Sequence, residues 1–370
     1  MVLVLLHHLL LIFPFRLHNS MAGNDVHQKS DYASYDTFSF AIPLVESDSD
    51  DFPTTSFRQQ VPKISDSVVQ SFRSNGFIVC PNVITRAAVD ALNDRLEEVL
   101  RGIYDRGQKP DKIPRILKGN KPQIPSADCN SSNTNEKTRK RGTSIGPLGF
   151  SGNLQNVKVL QIINIHKADS LFRKLETNGS LAKIVAQLAG WDAGARLAQD
   201  QVWAKPPGAP SLVFHRDSPY FMFEPSDVVT VWIALDDMDP DVGPLEYVIG
   251  SHKWGDGRVG SAQQFFHSNV KSLLKSAAER EGLEVDELEI VSMAGLKAGG
   301  LSIHHGKIWH GSGKNSSTTR PRRGLGLHFV PANVRFTKDA ANSSLWKSYV
   351  TNFDDPSSVE LSREDFPLSY

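Results

Sequence analysis

The pattern of apolar and polar positions changes character partway along the chain. In VPKISDSVVQSFRSNGFIVCPNVITRAAVDALNDRLEEVLRGIYDRG, which begins at Val61, the spacing of Val68, Val69 and Phe72 predicts a short helix. Residues 77–80 predict a short strand. Thr85 then caps a helix whose Val89, Leu92, Leu96 and Val99 recur at three- and four-residue steps. Gly102 and Gly107 loosen its end. Residues 170–188 predict a further helical stretch, with Leu171, Leu175, Leu181, Ile184, Val185 and Leu188 apolar. From Leu197 the texture is short and alternating: QVWAKPP, SLVFHRD, DVVTVWIALDD, GPLEYVIG, GLSIHHGKIWH and RRGLGLHFVP read as strands parted by Pro, Gly and Asp. A charged helical excursion, residues 263–289, interrupts them. Helices first and short strands later predict an α+β fold, with a jelly-roll or barrel core and flanking N-terminal helices.

The flanks read differently. Residues 2–15 are apolar apart from His7 and His8, but a bilayer span needs roughly 20 such residues. Residues 1–20 are thus either an over-extended start before Met21 or a signal-like segment, and no stable membrane span is expected. Residues 21–60 are polar and read as a disordered tail. The ordered domain is expected over 61–335, with a C-terminal extension at 336–370. Residues 120–146 form a low-complexity insertion with a basic run at 137–141, read as a solvated loop, with phosphate or partner binding as the alternative. The 41 Lys and Arg balance 41 Asp and Glu. Nothing electrostatic therefore favours nucleic acid or an anionic membrane. Of four Asn-x-Ser/Thr sequons, Asn315 falls in a loop assigned below to the site, where a glycan would obstruct chemistry. A cytoplasmic location is expected.

With only two cysteines, Cys80 and Cys129, any metal must be held by histidines and carboxylates. In SLVFHRDSPYF, His215 and Asp217 stand two apart on a predicted strand and share a face, while Arg216 points away. His310, read as ending a strand before a Gly-Ser-Gly turn, is the third candidate, with His304 and His305 as competitors. Two histidines and one carboxylate leave adjacent positions of iron(II) open, where a 2-oxo acid can chelate beside dioxygen. A distal carboxylate on that acid wants a bidentate cation. If Arg322 faces inward, Gly324, Gly326 and His328 share its face and leave room for a cofactor. Arg323 is the alternative.

With these residues placed, the chain resembles the phytanoyl-CoA dioxygenase family, within the double-stranded β-helix oxygenases. The resemblance covers residues 61–331 and is carried by NGFIVCPNVI, DQVWAKPPG, FHRDSPYF, VVTVWIALDDMDPDVGPLEYVIGSHK and HGSGKNSSTTRPRRGLGLHF. It implies that His215, Asp217 and His310 hold Fe(2+), and that Arg322 pairs with the distal carboxylate of 2-oxoglutarate. Ser312, Trp232, Gln201 and Gln161 are implied as further contacts to that cosubstrate, although Trp232 also reads as a core aromatic. The implied reaction spends O2 and 2-oxoglutarate to hydroxylate a C–H bond of a small-molecule substrate, releasing succinate and CO2. The chain ends LSY, without a peroxisomal address, so phytanoyl-CoA itself is not implied as the substrate, which is expected to be a small organic or acyl molecule. Competing readings are a zinc hydrolase on the same ligands and an inactive binding module. A halogenase would lack the carboxylate that Asp217 supplies. Lys205 in the KPPG turn reads as solvated, with an acidic substrate group as its alternative partner. Oligomeric state is not legible.

Overall fold

In the computed structural model, residues 30–35, 37–42, 63–114, 148, 157–255 and 270–369 are described. Strand β1 (Ser30–Asp31) precedes helix α1 (Asp66–Asn75), strand β2 (Phe77–Cys80) and helix α2 (Arg86–Leu100). Ser65 and Thr85 cap the two helices by accepting from the backbone N–H of Val68 and Ala88. Strand β3 (Leu160–Ile163) leads into α3 (Ser170–Glu176) and α4 (Gly179–Ala189). The single helical stretch predicted over 170–188 is therefore two helices. Asn178 ends one and caps the next, its side chain accepting from Ser180 N.

The strands that follow are β4 (Ala195–Lys205), β5 (Leu212–His215), β6 (Phe223–Glu224), β7 (Val229–Ala234) and β8 (Leu245–Val248). After helix α5 (Ser272–Arg280) come β9 (Ile290–Ser292), β10 (Leu301–His305), β11 (His310–Ser312), β12 (Arg322–Pro331) and β13 (Arg335–Phe336). They form two facing sheets, in the orders β2-β10-β7-β12-β4-β3 and β1-β9-β8-β11-β5, with β13 and β6 as a separate pair. This is the jelly roll that the alternating pattern predicts.

Alternation sorts the two faces. On β7, Val229, Val231 and Ile233 pack outward with Leu325, Leu327 and Phe329 of β12, under the helices that bear Leu92, Leu96, Leu181 and Val185. The inward set between the sheets includes Trp232, Ala234, Leu245, Tyr247 and Val291. Polar side chains share this inner space, and Trp232 and Leu245 line one cavity with Thr230, His304 and Arg322. Helix α5 lies behind the smaller sheet, where Leu274 and Ala277 meet Phe214 and Trp309. The C-terminal residues form their own cluster, in which Trp346, Val350 and Phe366 pack on Phe221, Phe223 and Phe336.

Two expectations about the flanks change. Part of the stretch read as a disordered tail is built into the fold: β1 pairs in parallel with β9, and Ile42 is buried with its N–H on Val83 O. Open sheet edges there offer backbone partners that composition does not report. The apolar N-terminus and the 120–146 insertion lie outside the described residues, as does the Cys129 they include. Among the described residues no helix is long and apolar enough to cross a membrane.

Candidate active site

The segment GLSIHHGKIWH, predicted as one strand, is two. β10 belongs to the larger sheet and β11 to the smaller, and the turn at Gly306 carries the chain between them. Gly306 N donates to Val228 O at 2.7 Å. Its carbonyl receives both Asp217 N (2.8 Å) and Ser218 N (2.9 Å). His310 therefore opens a strand rather than ending one, and is the register partner of His215 on β5. Asp217 is not on a strand either. β5 stops at His215, and Asp217 takes a helical backbone, φ −79 and ψ −44. A bend held by Gly306, not strand alternation, brings the carboxylate beside the two rings.

The three side chains converge. His310 Nε2 lies 3.5 Å from Asp217 Oδ1 and His215 Nε2 lies 3.8 Å from it. The rings stand 4.2 Å apart, centroid to centroid. Each histidine places Nδ1 against the carbonyl two residues earlier, His215 on Val213 (2.9 Å) and His310 on Ile308 (3.0 Å). Nδ1 then carries the proton, and the Nε2 lone pair is left for a metal. Burial, and after it the neighbouring His310, hold the His215 pKa down at about 3, so its ring is neutral. Burial works against ionisation of Asp217, but His310, His304 and His328 outweigh it and keep the carboxyl well below its ordinary range. Two imidazole nitrogens and one carboxylate oxygen are a donor set that suits iron(II).

The other carboxylate oxygen is taken. Asp217 Oδ2 accepts from Thr230 Oγ1 at 2.7 Å and from His304 Nε2 at 3.2 Å. His304 Nδ1 in turn accepts from Tyr247 OH (2.9 Å), which accepts from Ser302 Oγ (2.8 Å). Thr230 Oγ1 accepts from His328 Nδ1 at 2.9 Å. These chains hold Oδ1 toward the two histidines. They give His304 a role the sequence alone did not assign: it orients the carboxylate. His305 faces away, toward Phe72 and His252.

The cluster opens on a cavity of ≈ 200 Å³. Arg322 also lines it, wholly buried, with Nε on Gly243 O at 3.1 Å. Its Nη2 has no partner among the described residues, and burial lowers its pKa to about 10. Arg323, the alternative, faces outward and pairs with Asp236 at 2.6 and 2.9 Å. Trp232 lines the cavity under the guanidinium, its ring 5.5 Å from Arg322 Cζ. Gln201 and Gln161 both line it: Gln161 Nε2 donates to Gln201 Oε1 (2.9 Å), and Lys112 Nζ donates to Gln161 Oε1 (2.6 Å). Ser312 is buried just behind the lining. Lys205 is not solvated. It is wholly buried and donates to Ser312 Oγ at 2.6 Å and Gly313 O at 2.5 Å. Asn315 is also wholly buried, its amide on the carbonyls of Lys205, Pro206 and Arg320. That excludes a glycan in this fold and ties down the loop. Sequence reasoning missed Tyr220, Phe221 and Leu345 in the cavity wall. Tyr220 and Phe221 follow closely on Asp217, a proximity that could have flagged them; no such signal marks Leu345.

A second buried cluster joins His166, Glu176 and Asp200. His166 Nδ1 is 2.5 Å from Asp200 Oδ2, a hydrogen-bond distance, whereas two donors to one metal stand roughly 3 Å apart. Asp200 Oδ1 also accepts from Ile165 N at 2.8 Å, so the cluster fastens this turn to β4. Burial, then the charge of Asp200, raise the Glu176 carboxyl well above its ordinary range, with Asp169 adding to the rise and Arg173 opposing it. The unfolded chain releases that proton in the ordinary carboxylate range and the folded chain does not. Stability is therefore drawn away as pH rises above the ordinary glutamate value of 4.5. Glu176→Gln is expected to flatten this decline. Urea midpoints of both proteins at pH 5 and pH 8 check it, and equal slopes would contradict the assignment.

Comparison with known proteins agrees with this architecture. The chain is 24% identical over 272 residues to phytanoyl-CoA dioxygenase 1 of Oryza sativa subsp. japonica, covering 72% of this chain and 89% of that protein. The non-heme α-ketoglutarate-dependent carbocyclase SnoK of nogalamycin biosynthesis superposes with a TM-score of 0.55 at 19% identity, over 83% of this chain and 97% of that one. The epimerase SnoN, solved with Fe3+, α-ketoglutarate and nogalamycin RO, gives 0.54 at 16% identity, over 83% and 100%. At such identities these two establish the fold. The profile of the phytanoyl-CoA dioxygenase (PhyH) family matches residues 72–324, well over half of the chain, and the protein therefore belongs to that family of 2-oxoglutarate-dependent dioxygenases.

Proposed function

We propose that the protein hydroxylates an unactivated C–H bond of a small organic or acyl substrate, with iron(II) on His215, Asp217 and His310 and 2-oxoglutarate anchored by Arg322. One observation carries this reading. Three donor atoms, from His215, Asp217 and His310, converge at one part of a buried cavity, and an arginine lining the same cavity has a nitrogen with no partner among the described residues. A buried guanidinium without an anion is costly; a carboxylate from the cosubstrate supplies the missing partner.

When bound, iron with the 2-oxo acid and dioxygen supplies the oxidising power for C–H hydroxylation, the 2-oxo acid leaving as succinate and CO2. The chain's own residues do the rest. Val213 and Ile308 carbonyls hold the two imidazoles in the Nε2-ligating tautomer. Thr230 and His304 keep Asp217 Oδ2 occupied and Oδ1 turned to the metal position. Arg322 and Trp232 receive the distal part of the cosubstrate. Tyr220, Phe221 and Leu345 give a largely apolar wall for substrate, and Lys112, Gln161 and Gln201 add polar groups to the lining. Burial of the cluster keeps competing water from the reacting centre.

The test needs no knowledge of substrate. Metal-free protein given iron(II) and 2-oxoglutarate without oxygen is expected to develop a visible metal-to-ligand charge-transfer band. Correctly folded, iron-loaded protein that stays colourless with 2-oxoglutarate would sink the proposal.

A further inference from the structure

Lys205 has no part in the mechanism above, and its environment is unusual. It is wholly buried on β4, directly across from Arg322 on β12. Two basic groups thus stand side by side in the interior, and burial, then the charge of Arg322, hold the lysine well below its ordinary range. Glu246 is the buried carboxylate whose charge acts on both. Asp236, which also attracts Arg322, is already held by Arg323 through two side-chain hydrogen bonds. Buried basic groups are normally matched by an anion, and Glu246 is the one carboxylate common to these two. The hydrogen bonds point the same way. Lys205 Nζ donates to Ser312 Oγ, so the serine oxygen is engaged as an acceptor and its own proton remains to be given. Arg322 Nη2 is likewise a donor without an acceptor.

The geometry points to Lys205 as a positioning residue for the distal carboxylate of 2-oxoglutarate: it fixes the Ser312 hydroxyl as a donor, and it sets beside Arg322 a second basic group that a bound carboxylate would favour in its charged form. This rests on the cosubstrate reading given above. Lys205 touches Ser312 and does not itself line the cavity, whereas Ser312 sits in register between Leu212 and Leu245, which do; the lysine therefore acts through the serine, on affinity for the charged end.

That gives a test in which the ligand is varied rather than the activity measured. Binding of 2-oxoglutarate and of 2-oxopentanoate, which keeps the chelating end but lacks the distal carboxylate, is titrated anaerobically into iron(II)-loaded protein by calorimetry. The unaltered protein is expected to prefer 2-oxoglutarate by about 100-fold or more, the scale of two charge-assisted hydrogen bonds. Lys205→Met is expected to weaken 2-oxoglutarate by roughly tenfold and leave 2-oxopentanoate unchanged. Ser312→Ala, the second variant should the methionine protein not fold, is expected to narrow the preference in the same direction. Adding Lys205→Met to Ser312→Ala is expected to lose less than the two single effects together, because the lysine acts partly through the serine. An equal loss for both ligands would make Lys205 merely structural, and no loss for either would overturn the inference with the cosubstrate reading intact. Failure of the unaltered protein to bind 2-oxoglutarate would overturn both.

Discussion

His310→Ala is expected to abolish stable iron(II) binding and, with it, the charge-transfer band. The site offers three donor atoms from His215, Asp217 and His310, and removing one leaves a two-donor site. The residue best placed to substitute is His304, whose ring lies 4.8 Å from that of His310. It is not free to do so. Its Nε2 is held on Asp217 Oδ2 and its Nδ1 on Tyr247 OH, so recruiting it would break both bonds and release the carboxylate. The loss should therefore exceed the roughly 10–100-fold that follows from deleting an outer hydrogen-bond partner of a metal ligand. His304→Ala supplies that comparison, since it removes the partner and spares the ligand. Iron retained after anaerobic gel filtration, with circular dichroism to verify the fold, measures both. If His310→Ala keeps a full equivalent of iron, the triad is wrongly assigned.

Gly324→Ala is expected to damage the site from a position that contributes no side chain to it. A Cβ built there would fall 2.6 Å from Trp232 Cζ2 and Nε1 and 2.7 Å from Cε2. The ring has little room to retreat, because it packs among Ala234, Leu245 and Tyr247 and carries the Arg322 guanidinium over its face. The added methyl must displace Trp232 and disturb Arg322 with it. Overpacking of this kind costs about 1–3 kcal/mol, and affinity for 2-oxoglutarate should fall by about tenfold or more as the arginine loses its seat. Gly326, two residues on and facing the same cavity, is the control. A Cβ there meets nothing closer than 3.6 Å, so Gly326→Ala should fold and bind nearly as the unaltered protein does. Urea midpoints and anaerobic titrations separate the two. Equal behaviour of both variants would mean that Trp232 is not wedged as described.

Much of this was legible in the chain because the information was local. The alternation Arg322-Gly324-Gly326-His328 against Arg323-Leu325-Leu327-Phe329 follows from strand geometry, and the structure gives the two sets opposite faces. Thr85 caps α2 for reasons contained in four residues. What could not be read depends on partners distant in sequence. The bend that aims Asp217 is held by the carbonyl of Gly306. Strand alternation would set His215 and Asp217 on one face, but it is this bend that brings the two side chains together. Lys205 looked solvated because a lysine beside two prolines usually is. Its burial comes from the loop after β11, which folds back over it and is pinned by Asn315. Leu345 lies in a stretch that reads as a mere extension, and only tertiary packing places it at the cavity.

That last point bears on how such an enzyme can change. Trp346 Nε1 donates to the carbonyl of Tyr220 at 2.6 Å, and its ring packs on Phe221, so the closing stretch of the chain braces one wall of the chamber from outside the region that matches the family profile. The oxidising centre and the residues that brace the wall beside it are thus written in separate parts of the gene. Drift, exchange or lengthening of the final forty residues can reshape what the chamber admits while the iron ligands stay as they are. One catalytic engine can in this way be refitted to a succession of molecules.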